Sequence, residues 1–554
     1  MATTTVPGVE GGTRASVVPR SAIETSIVCT TVLAVAAILA TRLGYAPMWD
    51  GYEYASAINR AAINGVQLGD LRLAGHASYA YAALAIAAQA LAPGQSWPIL
   101  LLNALLWLVS VAGVWRLSAI VFPQPDLRVE RSLVTAAFAA QPALLAAVVQ
   151  PGLDLPVVTW FLWTAVFLLR GRWTWAALTG IALTFTKETG VLLYAVLAAA
   201  VIIWRPGVAL GAPGAHTQAA RRVAILVLPG LTFAAYVLYR AHAARSGEPV
   251  VWNVGTAMIG QSLVRQLLVP RLDRYVATSL AVMFVLNFAW IPALSGAAGL
   301  AAVARIVGSE RERWNAVVRA FAGEAGFMVL VLVGTTFALT RFATYANARY
   351  YLVVAPLLSL LLCAALLAVR APPLARRTVL ALYVIASFAS IVRTVDPVSR
   401  ALFGTFPFGD SALLNLTSIT HECCARGRDQ LGYNLEFTML GALTDDALGA
   451  MQAGDSALIV LPDSTNWHTI PMLDGRTNQR TIDSTEAVVP LVVEAGSASR
   501  YTKARSRGVY LALPNGPAER GLAQLAQSFV IGPERRFTRG PYQLSAYRLT
   551  PRLN

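Results

Sequence analysis

Charged side chains are scarce in this chain of 554 residues. Asp, Glu, Lys and Arg make up 13% of the sequence, against roughly 25% in ordinary soluble domains. Hydrophobic residues make up 56%, and the mean hydropathy is +0.56. The composition therefore excludes a soluble protein. Long uncharged runs recur along the chain, so the sequence predicts a polytopic membrane protein that is mostly α-helical.

Lysine is almost absent, because Lys187 and Lys503 are the two lysines among 44 basic residues. The net charge of +15 thus comes from arginine. Arginine-rich loops between apolar helices are what the positive-inside rule predicts for a membrane protein. The positive charge therefore does not indicate a nucleic-acid partner.

Cysteine and the common catalytic motifs are also missing or sparse. Four cysteines are too few for a disulfide framework. No GxxxxGK[ST] or GxSxG sequence occurs, which leaves a P-loop ATPase and a hydrolase nucleophile elbow without support. The run His421-Glu422-Cys423-Cys424 has metal-type ligands, but adjacent cysteines do not converge easily on one ion and no second ligand pair has zinc-site spacing. A loop or a redox pair is favoured there.

Eleven apolar runs are long enough to predict membrane spans of about 20 residues each. The first, 24–45, follows Arg14 and Arg20 and is interpreted as an uncleaved signal anchor. The others lie at 97–121, 130–150, 155–171, 173–187, 189–205, 223–240, 275–304, 325–341, 351–369 and 378–394.

A further run, 75–91, is short and alanine-rich, and the basic loops decide its placement. If it does not cross, the arginine-bearing loops at 122–129, 170–172, 205–222, 305–324 and 370–377 all lie on the side of the N-terminus. The positive-inside rule is then satisfied throughout. We therefore expect a bacterial inner-membrane protein with a cytoplasmic N-terminus, and an outer-face loop at 46–96 that carries juxtamembrane helices.

Composition changes near Thr394, after which long apolar runs stop and turn residues and charges increase. Runs at 457–461, 487–493 and 508–513 have the length of strands, and 440–452 has helical spacing. The sequence predicts two domains. Residues 1–394 form the membrane domain, and residues 395–554 form an extracytoplasmic α/β domain.

Charged groups at predicted helix ends are functional candidates, since charge near the membrane core is costly. Asp50 and Glu53 follow the first span and are three residues apart, which places both on one face of a helix. The alternative is an acidic helix start anchored by interfacial aromatics.

Lys187 and Glu188 occupy a tight turn between two spans on the predicted outer face. In a chain that uses arginine for nearly every other cation, a lysine at this corner suggests a phosphate or carboxylate partner. The alternative is a local Lys–Glu pair that stabilises the turn.

Asp154 and Arg349 begin two further spans on the same predicted face. Capping of its own helix would be sufficient to explain Asp154. The positive-inside rule argues against an idle arginine on the outer face, and Arg349 with Arg341 could clamp a phosphate. Snorkelling from a helix end is the alternative for Arg349.

In order and topology, residues 31–369 resemble the GT-C-type membrane glycosyltransferases, in particular the bacterial aminoarabinose transferase and protein O-mannosyltransferase group. The resemblance rests on the acidic motif at 49–54, the Gly-His-Ala-Ser-Tyr-Ala-Tyr stretch at 75–81, Asp154, the Leu-Thr-Phe-Thr-Lys turn that ends at Lys187, and the Arg-Tyr-Tyr-Leu-Val-Val-Ala-Pro start at 349–356. This chain departs from the family in two places. Its two acids are split, and the Lys-Pro-Pro that often follows the first loop is missing at 75–77.

The resemblance implies transfer of a sugar from a polyprenyl-phosphate donor to a glycan, lipid or protein acceptor. The implied reaction is a single inverting displacement at the anomeric carbon, in a protein that is also in contact with membrane lipid. The implied catalytic groups are Asp50, as general base, and Glu53, as supporting carboxylate or metal ligand. The implied substrate-binding residues are Asp154, Lys187, Glu188, Arg349, Tyr350 and His76. The sequence requires no cofactor and is compatible with a divalent metal.

Two other classes of function fit the composition. A transporter or lipid flippase with an outer domain would place charges or broken helices at the middle of the membrane and would often show repeats. The candidate charges here cluster at one surface instead. The other class is a catalytically silent scaffold whose C-terminal domain binds a partner.

Overall fold

The computed structural model describes most of the helical part of the chain and the strands that follow it. The described residues are 20–43, 50–204, 216–245, 274–309, 323–342, 348–391, 396–408, 411–415, 446, 458–461, 491–494, 508–512, 518–539 and 542–552. The predicted helix at 440–452, apart from residue 446, and the His421 to Cys424 run lie outside them.

The described part of the chain is mostly helical, and sixteen of its α-helices precede the first strand. They are α1 (Arg20–Ala40), α2 (Asp50–Asn64), α3 (Tyr79–Gln89), α4 (Trp97–Val121), α5 (Arg128–Ala139), α6 (Pro142–Val148), α7 (Asp154–Leu169), α8 (Trp173–Thr184), α9 (Thr189–Trp204), α10 (His216–Arg245), α11 (Arg274–Phe284), α12 (Trp290–Ser309), α13 (Glu324–Phe342), α14 (Val354–Ala368), α15 (Pro373–Ala389) and α16 (Pro397–Phe403). Short 3₁₀-helices lie at Leu68–Leu71, Leu73–Gly75, Pro125–Leu127 and Ala348–Tyr351.

Three described helices are long and apolar enough to cross a membrane: Trp97–Val121, Ala220–His242 and Glu324–Arg341. The pair α5 and α6, bent by 52° at a short break, makes a fourth if it counts as one span. Four shorter helices, α1, α7, α9 and α14, are also apolar. The chain is therefore an integral membrane protein, and the count of eleven spans stays a prediction.

Exposed apolar side chains support a lipid-facing surface. In the helix Ala220–His242, only 17% of its apolar 18-residue stretch is buried inside the protein. Leu231 and Leu238 on that helix are exposed. Such a surface is stable in lipid but would be a liability in water. Along the centre of the helical part, one apolar core runs from Val35 to Ile391.

Two predicted spans are not continuous helices. The bend between α5 and α6 lies before Pro142, whose missing N–H and ring clash interrupt the helical ladder. The span predicted at 275–304 breaks between Phe284 and Trp290, where Asn287 and Phe288 have φ values of 56° and 59°. A single helix across 275–304 is thus a wrong prediction, because left-handed residues cannot continue a right-handed helix.

The described residues from 405 onward are mostly in strands, with a helix at Ala518–Ser528. These are β1 (Thr405–Phe408), β2 (Ser411–Asn415), β3 (Leu458–Leu461), β4 (Leu491–Glu494), β5 (Gly508–Ala512), α17 (Ala518–Ser528), β6 (Phe529–Ile531), β7 (Arg535–Arg539) and β8 (Tyr542–Pro551). The strands β1 and β2 form an antiparallel pair, and the others form a mixed sheet in the order β4-β3-β5-β8-β6, with β7 also paired to β8. The three predicted strand-length runs form β3, β4 and β5, while the domain boundary at 394 stays a prediction.

Candidate functional site

Asp154 is the centre of a buried ionic cluster. It is the first residue of α7, but the N-cap position is Leu153, and no side-chain cap hydrogen bond is formed there. The Asp154 carboxylate instead accepts a hydrogen bond of 2.6 Å from the Lys187 ammonium. The capping interpretation of Asp154 is therefore wrong, because the carboxylate is directed to a neighbouring helix turn.

Lys187 is placed by the turn between α8 and α9. In this turn, Gly190 donates its backbone N–H to the Lys187 carbonyl at 2.8 Å, and Ala80 of α3 donates its N–H to the Phe185 carbonyl at 3.0 Å. The ring of Phe185 also packs against those of Tyr79 and Tyr236. Lys187 is consequently only 7% exposed, so its ion pair with Asp154 is largely desolvated.

Arg349 and Tyr350 complete the cluster from the 3₁₀-helix Ala348–Tyr351. The Arg349 Nε lies 3.7 Å from the second Asp154 oxygen, and an Arg349 Nη donates to the Tyr350 hydroxyl at 3.1 Å. The Tyr350 ring has the Lys187 ammonium 4.2 Å from its centre and the Arg349 guanidinium carbon 4.9 Å from it. Two cations around one carboxylate leave one net positive charge, which suits an anionic ligand.

His76 and Glu188 form a second pair beside the first. The His76 Nδ1 lies 2.7 Å from a Glu188 oxygen, and the other Glu188 oxygen accepts the Ala77 N–H at 3.4 Å. Thus Lys187 and Glu188, adjacent in sequence, do not form the local pair considered above, and each binds a different partner. Burial raises the pKa of Glu188, but the contacts with His76 and the backbone hydrogen bonds, including the one from Ala77, together outweigh burial and leave that pKa below its ordinary value.

The lowered pKa of Glu188 predicts an acid-sensitive contribution to stability. A carboxyl whose folded pKa lies below its unfolded value of about 4.3 stabilises the fold above that pH, and the stabilisation disappears as pH falls through the folded pKa. Between pH 7 and pH 3, the thermal midpoint of the wild type should therefore fall more than that of Glu188→Gln. Equal losses below pH 4.3 in the two proteins would contradict the assignment.

The first turn of α2 packs beside this cluster. Glycine at position 51 allows the contact, because an added Cβ would lie 2.8 Å from the Pro151 carbonyl oxygen, three residues before Asp154. One turn further on, the rings of Tyr54 and His76 meet edge to face with centroids 6.4 Å apart. Asp50 and Glu53 belong to this same first turn by their backbone, and their side chains lie outside the described structure.

Gly51→Ala tests whether this close approach matters for the site. A methyl group against a backbone carbonyl forces α2 away from Pro151, so we expect a loss of about 1–3 kcal/mol in the free energy of unfolding. In the sugar transfer that the family resemblance implies, we expect a loss of about 10²-fold in rate. The matched control is Gly230→Ala in α10, where an added Cβ meets no atom within 4 Å. Similar transfer rates in the two variants would show that the contact is unimportant.

A buried amide holds the chain that leads to Asp154. The Asn103 side-chain nitrogen donates to the carbonyls of Val148 and Gln150 at 3.2 and 2.8 Å, and its oxygen accepts the Tyr81 hydroxyl at 3.0 Å. Sequence reasoning missed this residue. The available signal was a single amide within the apolar run 97–121, which needs hydrogen-bond partners when buried.

The structure thus unites four predicted residues in one cluster, Asp154, Lys187, Arg349 and Tyr350, and places the His76–Glu188 pair next to it. Arg341 is accounted for separately, with its guanidinium 5.7 Å from the centre of the Phe337 ring. Among the described residues, no group of three or more His, Cys, Asp or Glu side chains could hold a metal ion.

Comparisons with known proteins bear on the fold. No protein-family model and no curated protein sequence matches the chain. A crystal structure of ArnT from Cupriavidus metallidurans bound to undecaprenyl phosphate is 13% identical, with a TM-score of 0.51 over 94% of this chain and 98% of that one. This chain has an ArnT-like fold.

The apo crystal structure of the same ArnT gives 12% identity and a TM-score of 0.49, over 95% of this chain and 98% of that one. The undecaprenyl phosphate-bound structure, with the TM-score of 0.51, covers 94% of this chain, so the likeness extends over both the helical part and the strand-rich part. The predicted resemblance to GT-C-type membrane glycosyltransferases is confirmed at the level of the fold. What the ArnT-like chain does chemically has to be argued from its own residues.

Proposed function

We propose that this protein transfers a sugar from a polyprenyl-phosphate donor to an acceptor hydroxyl at the extracytoplasmic face of the membrane. The observation that carries the proposal is the cluster of Asp154, Lys187, Arg349 and Tyr350, whose net charge is positive and whose Asp154–Lys187 pair is buried. Charged side chains near membrane helices are costly and are retained where they bind a partner. The ArnT of similar fold was crystallised with undecaprenyl phosphate, which is a ligand of the required charge.

The chemistry divides between the two sides of the donor. The acceptor oxygen forms a bond to the anomeric carbon while the bond from that carbon to the phosphate oxygen breaks, and the electron pair leaves with the polyprenyl phosphate. Asp50 takes the proton of the acceptor hydroxyl, supported by Glu53. Attack opposite the departing phosphate inverts the anomeric centre.

Lys187 and Arg349 bind the phosphate as it departs, when its charge increases. The Lys187 ammonium has three N–H donors, and Asp154 accepts one of them. Because both Asp154 oxygens face cations, we assign Asp154 the role of holding Lys187 and Arg349 in place. Glu188 and His76 stabilise the adjoining turn, and Tyr350 presents its ring to both cations.

The experiment that tests the proposal is transfer from radiolabelled polyprenyl-phosphate sugars by the purified protein in lipid vesicles. We expect label to reach an acceptor from such donors and not from nucleotide sugars alone, because the candidate groups face away from the cytosol in the proposed topology. Turnover of nucleotide sugars without added polyprenyl phosphate would refute the donor assignment.

The topology is open to a direct measurement. Gln95 and Arg172 are exposed and suit single cysteines in a cysteine-free background. The adjacent Gly94 and Gly171 are avoided, because their positive φ values favour glycine. An impermeant thiol reagent applied outside should label position 95, and position 497 in the C-terminal part, but not position 172. Labelling at position 172 would place the arginine loops outside and overturn the orientation.

The break between α11 and α12 is one feature that a transporter would also show. Within the described residues, however, the candidate charges gather around Asp154 and not around the break, where the Asp396 carboxylate accepts backbone hydrogen bonds. A transporter would move the labelled polyprenyl-phosphate sugar across the vesicle membrane without breaking the bond between the sugar and the phosphate. Product analysis in the transfer assay therefore separates the two functions.

A further inference from the structure

The break between α11 and α12 carries backbone strain. Asn287 and Phe288 follow one another with positive φ, a conformation that side chains other than glycine adopt at a cost in free energy. Consecutive residues of this kind persist where their surroundings specify them. The structure therefore has to supply specific partners at this point.

Those partners come from the start of α16. One Asp396 oxygen accepts the Phe288 N–H at 3.0 Å. The other accepts the Ser399 N–H at 2.7 Å, with Asp396 as the N-cap of α16. The Ser399 hydroxyl donates to the Val285 carbonyl at 3.3 Å and accepts from the Trp290 indole at 3.1 Å. We call these contacts the Asp396 clamp.

Packing around the break is incomplete. A cavity of about 40 Å³ lies there, and its lining includes Asn287, Gln141, Tyr351 and Tyr383. The buried Asn287 side-chain oxygen has no hydrogen-bond partner. The residues that line a cavity lose packing contacts there. The Asp396 clamp therefore contributes more than packing at the cavity to fixing the backbone of the break.

One hydrogen bond links α11 to the segment that carries Arg349 and Tyr350 of the ionic cluster. Ser279, in the middle of α11, accepts a hydrogen bond of 2.7 Å from the Tyr351 hydroxyl, and both residues are buried. Tyr351 ends the short 3₁₀-helix that carries Arg349 and Tyr350. The position of α11 therefore sets the position of those two side chains relative to Asp154.

We infer that Asp396 is a positioning residue for the Arg349–Tyr350 turn, so that the segment leading into the C-terminal strands controls the anion site. The inference rests on the proposed function for its consequence, which is weaker binding of a polyprenyl phosphate when the clamp is lost. Its structural core, that the clamp orders the turn through α11, does not depend on any reaction.

The experiment compares Asp396→Ala with Glu130→Gln in the full-length protein. Glu130 is a matched control because its carboxylate is also fully buried and also binds two groups, Arg376 and Arg377, each at 3.3 Å. Hydrogen exchange of the amides of 348–352 reports the order of the turn. Binding of undecaprenyl phosphate reports the site.

We expect Asp396→Ala to speed exchange at 348–352 by at least about tenfold and to weaken undecaprenyl phosphate binding by about tenfold, with neither change in Glu130→Gln. In an Arg349→Ala background, Asp396→Ala should weaken binding no further, because a positioning residue acts through the residue it positions. Equal exchange at 348–352 in Asp396→Ala and Glu130→Gln would overturn the inference.

If Asp396→Ala does not fold, Ser279→Ala and Tyr351→Phe test the inference in its place. Each removes one hydroxyl of the Tyr351–Ser279 hydrogen bond and keeps the packing. Each should speed exchange at 348–352, and unchanged exchange in both would also overturn the inference. If the wild type does not bind undecaprenyl phosphate, the proposed function fails, while the exchange comparison still decides whether the clamp orders the turn.

Discussion

Asp50→Asn should lower the turnover number by about 10²–10⁴-fold, the usual contribution of a positioned general base. The substitution keeps the shape of the side chain and removes its basicity, so donor binding should be retained. The loss should therefore appear in kcat and leave KM for the donor nearly unchanged. Steady-state kinetics with a labelled polyprenyl-phosphate sugar measures both parameters.

Two further variants in the same experiment make the Asp50 assignment specific. Glu53→Gln should cost less than Asp50→Asn, because a supporting carboxylate does not itself take the proton. Near wild-type transfer by folded Asp50→Asn, together with inactive Glu53→Gln, would make Glu53 the base. Near wild-type transfer by both variants, together with inactive Asp154→Asn, would place the base outside the 49–54 motif, which would then be an interfacial anchor.

Lys187→Met should damage both stability and transfer. It leaves the Asp154 carboxylate buried without its closest cation, and breaking a buried pair in this way costs about 3–5 kcal/mol. In transfer, both kcat and KM for the donor should worsen, since the phosphate is charged in the bound donor and gains charge as it departs. Thermal unfolding and steady-state kinetics on the same preparation provide the two measurements.

The double variant Lys187→Met/Asp154→Asn separates these two effects. Neutralising Asp154 should restore part of the stability, because the buried carboxylate that kept only Arg349 as a counter-ion is gone, but it cannot restore phosphate binding. Arg536→Gln is the control, since its pair with Glu534 is exposed and such pairs are worth about 0–1 kcal/mol. Recovered transfer in the double variant would show that Lys187 acts only as the partner of Asp154.

The sequence identified charges at the ends of apolar runs as candidates, and the structure brings Lys187 and Arg349 together at Asp154. Lys187 and Arg349 are 162 positions apart in the numbering. Both could be identified because a charge beside an apolar run is costly and is kept where it has a function. Which carboxylate each cation meets could not be predicted, because that depends on how α7, the α8–α9 turn and the 3₁₀-helix at 348–351 pack together. Lys187 binds Asp154, not its neighbour Glu188, for this reason.

The same limit applies to the helices themselves. The apolar run 275–304 has the composition of one long span, and composition is set by burial in lipid or protein and not by helix continuity. The break at Asn287 and Phe288 depends on Asp396, which is more than 100 positions further along the chain. The Asp-Pro pair at 396–397 indicates a helix start. That Asp396 also accepts the Phe288 N–H could not be predicted from the local sequence.

By itself, the sequence determined that this protein lies in a membrane, that it is mostly helical, and that its unusual charges sit at helix ends, because apolar length and the cost of buried charge are local properties. Tertiary structure alone decided that Asp154 joins Lys187 to Arg349, that Glu188 binds His76, and that Asp396 holds a break in a distant helix. Hydrogen bonds and ion pairs need atoms within a few ångströms. That proximity arises only when helices distant in sequence pack against each other.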